Sequence, residues 1–151
     1  MITMLKMMKK PELDQIMHIW LNENIRAHGA YVSESYWREN ASLVRHLIET
    51  ATVYVSRDTN GINGFCGLQD NYIAGVFIDA KMQGNGIGGQ LLSAVQADYD
   101  ELTLSVYEAN TRAVKFYQHH GFTIAKRGRD EDNDVDELTM SWHKAQERSN
   151  V

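Results

Sequence analysis

The chain has 151 residues, 43% of them hydrophobic and 23% charged, which predicts one globular domain over 1–151 that needs no disulfide staples. A net charge of −5 speaks against nucleic acid as the main partner, because phosphate binding needs a concentrated basic surface. One cysteine, Cys66, excludes an internal disulfide framework, and no apolar run reaches membrane-helix length, so the expectation is no membrane and a cytoplasmic setting.

Met1 to Lys10 is apolar and then basic, the reverse of a signal peptide's order, and Ile2 to Lys9 reads as a first strand. Pro11 suits the first position of a helix, where its missing N–H costs nothing. Leu13, Ile16, Met17, Trp20 and Leu21 then recur on one helical face until Ala27-His28-Gly29-Ala30 breaks the pattern. Ser33 is placed to cap a second helix, with Trp37, Val44, Leu47 and Ile48 inward and Arg38, Arg45 and Glu49 outward. Thr52–Arg57, Ile62–Leu68 and Tyr72–Ile78 read as strands, separated by turns at Asp58-Thr59-Asn60-Gly61 and Gln69-Asp70-Asn71.

A glycine-rich stretch, Gln83 to Gly89, leads into an amphipathic segment from Leu91 to Tyr99. Leu102 to Val106 alternates as a strand, Asn110 is placed to cap a short helix over Thr111–His120, and Gly121 stands where a left-handed C-terminal residue belongs. Phe122–Lys126 and Leu138–Trp142 read as a final hairpin around the acidic run Asp130 to Glu137, whose carboxylates could steer a basic peptide but read first as a solvated tip. The order β-α-α-β-β-β-α-β-α-β-β predicts an α+β fold. Its mixed, mostly antiparallel seven-stranded sheet carries four helices on two faces and has one parallel crossover.

The stretch Gln83-Gly84-Asn85-Gly86-Ile87-Gly88-Gly89 is the sharpest functional signal. Strand, glycine turn and helix in that order make an anion site: bare N–H groups converge at the helix start, and glycines let a pyrophosphate approach the main chain. A P-loop is excluded, since no Lys-Ser/Thr follows the glycines. The dinucleotide pattern G-x-G-x-x-G occurs at Gly84, Gly86 and Gly89, but Asp79 to Gln83 separate it from the strand and the chain is no βαβ repeat. The plain alternative is a surface turn with no ligand.

Two segments carry a family resemblance. Val76 to Gly88 resembles the strand-loop-helix motif of the GNAT superfamily of N-acetyltransferases, with Gln/Arg-x-x-Gly-x-Gly/Ala matched at Gln83, Gly86 and Gly88. Asn110-x-x-Ala113-x-x-Phe116-Tyr117-x-x-x-Gly121-Phe122 resembles the second signature of that superfamily. The match is specific from about Tyr72 to Phe122, with Ala80 where the family usually has proline. Trp20, His28 and Tyr36-Trp37 also resemble small bacterial members, some thought to acetylate protein lysines.

The resemblance implies the acyl-CoA N-acyltransferase fold, acetyl-CoA as co-substrate and no metal. It implies that Val76, Phe77 and Ile78 splay from the next strand and pair with the pantetheine arm, while Gln83, Gly84, Asn85, Gly86, Ile87, Gly88 and Gly89 hold the pyrophosphate. Asn110, with Ala113 and Phe116, would meet the coenzyme, and Tyr117 would protonate the departing thiolate. A phenol of ordinary pKa is protonated at neutral pH and can do so. Lys81, Arg112 and Lys115 are placed to meet phosphates but read first as solvated charges.

On the acceptor side nothing carries over. Glu23, His28 and Tyr72 are candidate bases by placement, and Trp20, Tyr31, Tyr36 and Trp37 could wall an amine pocket, though their helical spacing suits core equally well. Cys66, between Gly64 and Gly67, reads as a packed thiol. The expected function is direct transfer of acetyl to a primary amine, a protein lysine or N-terminal amine, by a monomer or homodimer. The alternatives are a small-amine (polyamine or antibiotic) acetyltransferase and a non-catalytic acyl-CoA-binding regulatory module.

Overall fold

The computed structural model describes residues 1–5 and 8–145. In chain order the elements are β1 (Ile2–Leu5), α1 (Lys10–His28), α2 (Glu34–Thr50), β2 (Thr52–Asp58), β3 (Gly61–Gln69) and β4 (Tyr72–Ile78). A 3₁₀ turn (Ala80–Met82), α3 (Ile87–Asp98), β5 (Glu101–Tyr107), α4 (Thr111–His119), β6 (Thr123–Asp130) and β7 (Val135–His143) follow. The strands form one seven-stranded sheet in the order β1-β2-β3-β4-β5-β7-β6. Among the described residues only the β4–β5 pair is parallel; α3 is the crossover between them.

The central strands of the sheet are covered on both sides, whereas β6 is exposed over nearly its whole length. Val53 and Val55 of β2, Phe65 of β3 and Tyr107 of β5 face the layer of α1 and α2, whose own share is Leu13, Ile16, Ile19, Trp20, Trp37 and Ile48. Tyr54, Cys66, Leu68, Leu102, Leu104 and Val106 face the opposite layer of α3 and α4, where Leu91, Leu92, Val95 and Tyr117 meet them. Strands covered on both faces lose the apolar-polar alternation of a half-exposed sheet, which is why β2 and β3 are apolar on successive residues. Burial pushes the Cys66 thiol up to about 12, so it is a packed group and not a nucleophile at neutral pH.

Several boundaries differ from the sequence reading. The first strand stops at Leu5. Lys6 and Met7 lie outside the described residues, and Lys9 is already the N-cap of α1, which places Pro11 in the second helical position. Glu12 accepts from the Lys9 N–H at 3.0 Å and closes that end. Helix α1 runs through Ala27 and His28 to end at Gly29. Ser33 stands at the N-cap of α2, but its hydroxyl bonds Ser35 Oγ at 3.1 Å instead of a backbone N–H.

Leu47, expected inward, is 47% exposed. Helix α2 packs on α1 and touches the sheet little, so it buries only a narrow stripe through Trp37, Val44 and Ile48. Arg45 crosses to Asp14 of α1 at 2.6 Å. The last hairpin is longer than expected: Asp130 belongs to β6, and Val135, Asp136 and Glu137 belong to β7.

Helix α4 has both of its expected ends. Asn110 Oδ1 accepts from Ala113 N at 3.2 Å, and Gly121 takes φ +91° while its neighbour Phe122 N–H returns to the Tyr117 carbonyl. A Cβ at Gly121 would also stand 3.2 Å from the Trp142 ring. Gly121→Ala is therefore expected to cost about 1–2 kcal/mol, a few degrees in Tm, measured by thermal unfolding.

Candidate active site

The site begins with one extra residue. Between β3 and β4, Gly67 pairs with Gly75 but Leu68 pairs with Ile73, so Ala74 is a β-bulge. A bulge bends its strand and turns the following side chains over. Ile73 faces the α3–α4 layer, and beyond the bulge it is Val76 and Ile78 that do so, while Phe77 faces α1 and stacks on Phe65 at 5.1 Å. Pairing with β5 ends at the same point: Tyr72 meets Thr103 and Ile73 meets Leu104, and no further pair forms. From Ala74 to Ile78 one edge of β4 is free, and a groove of about 1110 Å³ opens between the two strands.

At one end of the groove lies the glycine loop. Gly84 and Gly86 have φ of +85° and +76°, conformations that favour glycine, and a Cβ on either would meet nothing within 4 Å. Gly86 is the N-cap of α3, and its carbonyl accepts the first helical bond, from Gln90 N at 3.1 Å. The N–H groups of Ile87, Gly88 and Gly89 thus have no partner within the helix and carry its positive dipole end. Gly88 also admits Phe116, whose ring would be 3.4 Å from a Cβ there.

The loop is braced from two sides. Asn85 Nδ2 donates to the Met82 carbonyl at 2.9 Å, so this side chain does not line the groove. Gln83 Nε2 donates to the Ile78 carbonyl at 3.1 Å and to Glu23 Oε1 of α1 at 2.7 Å. Glu23 is buried, and Gln83 Nε2 is occupied by these two bonds, while the Gln83 backbone N–H turns back to the Ala80 carbonyl at 3.4 Å. Arg112 lines the groove, whereas Lys81 and Lys115 do not.

Tyr117 lies where the strands part. Its ring is buried beside Phe116 and Phe122, at centroid distances of 5.2 and 5.7 Å, and it lines the groove. Burial, aided by Cys66, holds the phenol well above its ordinary pKa, against an opposing backbone contact from Val76. It is a protonated donor throughout the neutral range.

Asn110 links the two halves of the site. With Oδ1 fixed by the Ala113 N–H, its Nδ2 must be the donor to His28 Nε2, 3.2 Å away. Burial pushes the imidazole below its ordinary pKa, although the Asn24 backbone favours the charged ring. A neutral ring accepting at Nε2 carries its proton on Nδ1, and that atom is buried with no hydrogen-bond partner. Around it stand Tyr107, Trp37 and Tyr31 at ring distances of 5.1, 5.4 and 5.7 Å.

The structure therefore brings nearly all the expected residues to one groove. Val76, Phe77, Ile78, Gln83, Gly84, Gly86, Ile87, Gly88, Gly89, Asn110, Ala113, Phe116 and Tyr117 line it, as do Trp20, His28, Trp37 and Tyr72. Tyr31 does not line it and supports His28 and Tyr107 from behind. Sequence reasoning missed Tyr107, whose phenol donates to Asp130 Oδ2 at 2.5 Å. It also took the acidic run for a solvated tip, yet Asp130, Glu131, Asp132 and Glu137 line the groove. Strand alternation places Tyr107 opposite Val106 but cannot show which helix covers it.

Residues 49–124 match the family model for the acetyltransferase (GNAT) domain. The chain is 29% identical to the peptidyl-lysine N-acetyltransferase YiaC of Escherichia coli K12, over 92% of this chain and 96% of that one. It is 30% identical to the peptidyl-lysine N-acetyltransferase YjaB of Salmonella typhimurium, over 84% of each chain. The solution structure of apo YjaB from Escherichia coli superposes with a TM-score of 0.78 at 27% identity, covering 96% of this chain and 99% of that one. An Elizabethkingia anophelis GNAT acetyltransferase with acetyl-CoA bound shares the fold at a TM-score of 0.69 and 19% identity, covering 95% and 98% of the two chains. Sheet, split strand and glycine loop agree with the match in sequence: the chain belongs to the GNAT family and is an acetyl-CoA-dependent N-acetyltransferase.

Proposed function

We propose that the protein, acting as one domain, transfers acetyl from acetyl-CoA to the side-chain amine of lysine in other proteins. The observation that carries this reading is the shared groove. An open helix end, a free strand edge and Tyr117 line it together with His28 and the Trp37 and Tyr107 rings beside it. The relatives' activity on peptidyl lysine supports the choice of acceptor.

The N–H groups at the start of α3 take the pyrophosphate, and the free edge from Ala74 to Ile78 pairs with the pantetheine amides. A strand N–H on that edge polarises the acetyl carbonyl. The amine must arrive uncharged. Of the three candidate bases, the Glu23 carboxylate is bonded to Gln83, and Tyr72 is an exposed residue. His28 remains, with its Nε2 lone pair available once the Asn110 amide turns to the coenzyme. The amine nitrogen attacks the thioester carbonyl, the C–N bond forms and the C–S bond breaks. The sulfur leaves with the bond pair and takes the proton of Tyr117, while the acylated nitrogen releases its surplus proton to water, from which the phenolate is reprotonated.

Glu23 has a positioning role in this scheme. It holds Gln83, and through Gln83 it sets the glycine loop against the end of β4. Glu23→Ala is expected to raise the KM for acetyl-CoA about tenfold, the worth of one hydrogen bond to a charged group, while Glu23→Gln keeps an acceptor and restores it.

Tyr117→Phe is expected to lower kcat at least about 100-fold with little change in acetyl-CoA affinity, as loss of a general acid should. An unchanged kcat would remove Tyr117 from the mechanism. Because burial lowers the pKa of His28, the ring should stay neutral below its ordinary value of about 6.5 and protonate only on further acidification. The acid limb of kcat/KM is therefore expected below pH 6.5, and His28→Gln should abolish it together with most of the activity. Thermal unfolding gives a direct binding test: acetyl-CoA at 100 times its Kd should add about 2.7 kcal/mol, some 5–10 °C, and NADH should add nothing.

A further inference from the structure

The acceptor end of the groove has a one-sided charge. Asp130, Glu131, Asp132 and Glu137, from the β6–β7 hairpin, line it together with the aromatic residues Tyr36, Trp37 and Tyr107. Arg129 is the basic residue of the same wall, and its guanidinium is already committed. Nη2 and Nη1 meet Asp134 and Asp136 at 2.6 Å each, and Nε donates to Asp134 at 2.9 Å. Among the described residues none of the four groove carboxylates has an ion-pair partner.

Asp130 is also held in place as a charge. Asp130 accepts from the Tyr107 hydroxyl and from Asn133 Nδ2 on Oδ2, at 2.5 and 2.9 Å, and from the Asp132 N–H on Oδ1 at 3.0 Å. Burial and the charge of Asp130 push Glu137 above its ordinary pKa, the response of a carboxylate that lacks a cation. A separate feature of the same wall points to an occupant. Trp37 is 8% exposed, lines the groove, and its indole N–H has no hydrogen-bond partner. Carboxylates supply long-range attraction for cations, aromatic faces hold ammonium or guanidinium groups, and an open N–H suits a peptide carbonyl.

We propose that this acidic, aromatic mouth docks a positively charged peptide segment, so that the lysines acetylated are those with lysine or arginine neighbours in sequence. The inference rests on the peptidyl-lysine reading and adds the context that selects the lysine. The target lysine enters between Trp37 and Tyr107 toward His28, while its basic neighbours lie along Asp130, Glu131, Asp132 and Glu137. An acidic protein with this local field favours basic partners by faster encounter, and the preference should weaken with salt.

The test compares two peptides of equal length with one target lysine, flanked by arginines or by alanines, on the wild type and on a Glu131→Gln/Asp132→Asn variant. Both substituted side chains are exposed and neither touches the coenzyme side, so Tm and the KM for acetyl-CoA serve as controls of folding. The wild type is expected to favour the arginine-flanked peptide at least about fivefold in kcat/KM at low salt. The variant should lose most of that preference, so that its kcat/KM values for the two peptides converge. Equal kcat/KM for the two peptides in the wild type, or a preference that survives in the variant, would overturn the proposal. If neither peptide is acetylated, the lysine reading itself fails. Docking is then decided by binding of the arginine-flanked peptide: binding that the variant loses supports it, and no binding to the wild type overturns it.

Discussion

The bulge at Ala74 is the constraint on which the rest of the site depends. A parallel pair of strands would normally continue its hydrogen bonds to the end of the shorter one, as β4 and β5 begin to do at Tyr72 and Ile73. One inserted residue bends β4 and inverts its faces, and the strands part. The parting exposes backbone donors and acceptors inside the protein, where unpaired groups are costly. A ligand with amides of its own relieves that cost. The energetic weakness of the free sheet is therefore the origin of its affinity for an extended arm, and on its β3 side β4 stays paired to either side of the bulge.

Around this split the two faces of the sheet have different tasks. The α3–α4 face is mostly apolar, and its contribution to chemistry is Tyr117, a phenol whose pKa burial raises so that it stays a donor. The α1–α2 face carries the buried polar groups Glu23 and Asn24 and the half-buried His28, with Asn110 reaching across from the start of α4. Glu23 and His28 lie on one helix, α1, and each bonds a residue of the coenzyme side, Gln83 and Asn110 respectively. Placement of α1 is thus coupled to both ends of the glycine-loop and α4 machinery by two hydrogen bonds.

Charge is divided along the groove in the same way. Its coenzyme end has a helix N-terminus and Arg112, and its acceptor end has the hairpin carboxylates. The two substrates of the reaction have opposite charges, an anionic coenzyme and a cationic amine, and the field separates them before any side chain makes contact. The hairpin that carries the carboxylates continues the strand beside β5, so the same sheet that splits for the coenzyme also positions the acceptor's wall.

Element order, the helical stripe of α1, the cap at Asn110 and the left-handed Gly121 were legible in the sequence, because each depends on neighbours within a few residues. The glycine loop was legible for the same reason: positive φ and an open helix start are local demands, and Gly84, Gly86 and Gly88 meet them. The inward side of α2 was misread at Leu47, since its burial depends on how far the helix stands from the sheet. The bulge at Ala74 is invisible in an apolar run that is buried whichever face it presents. Tyr107 and Asp130 come together only because β5, β7 and β6 are neighbours in the sheet, and Glu23 meets Gln83 across sixty positions of chain. The sequence by itself determined the elements and the anion site, whose physics is local. The tertiary structure alone decided the split, the neutral histidine and the acidic mouth, because burial and field are sums over residues that the chain brings together only when folded.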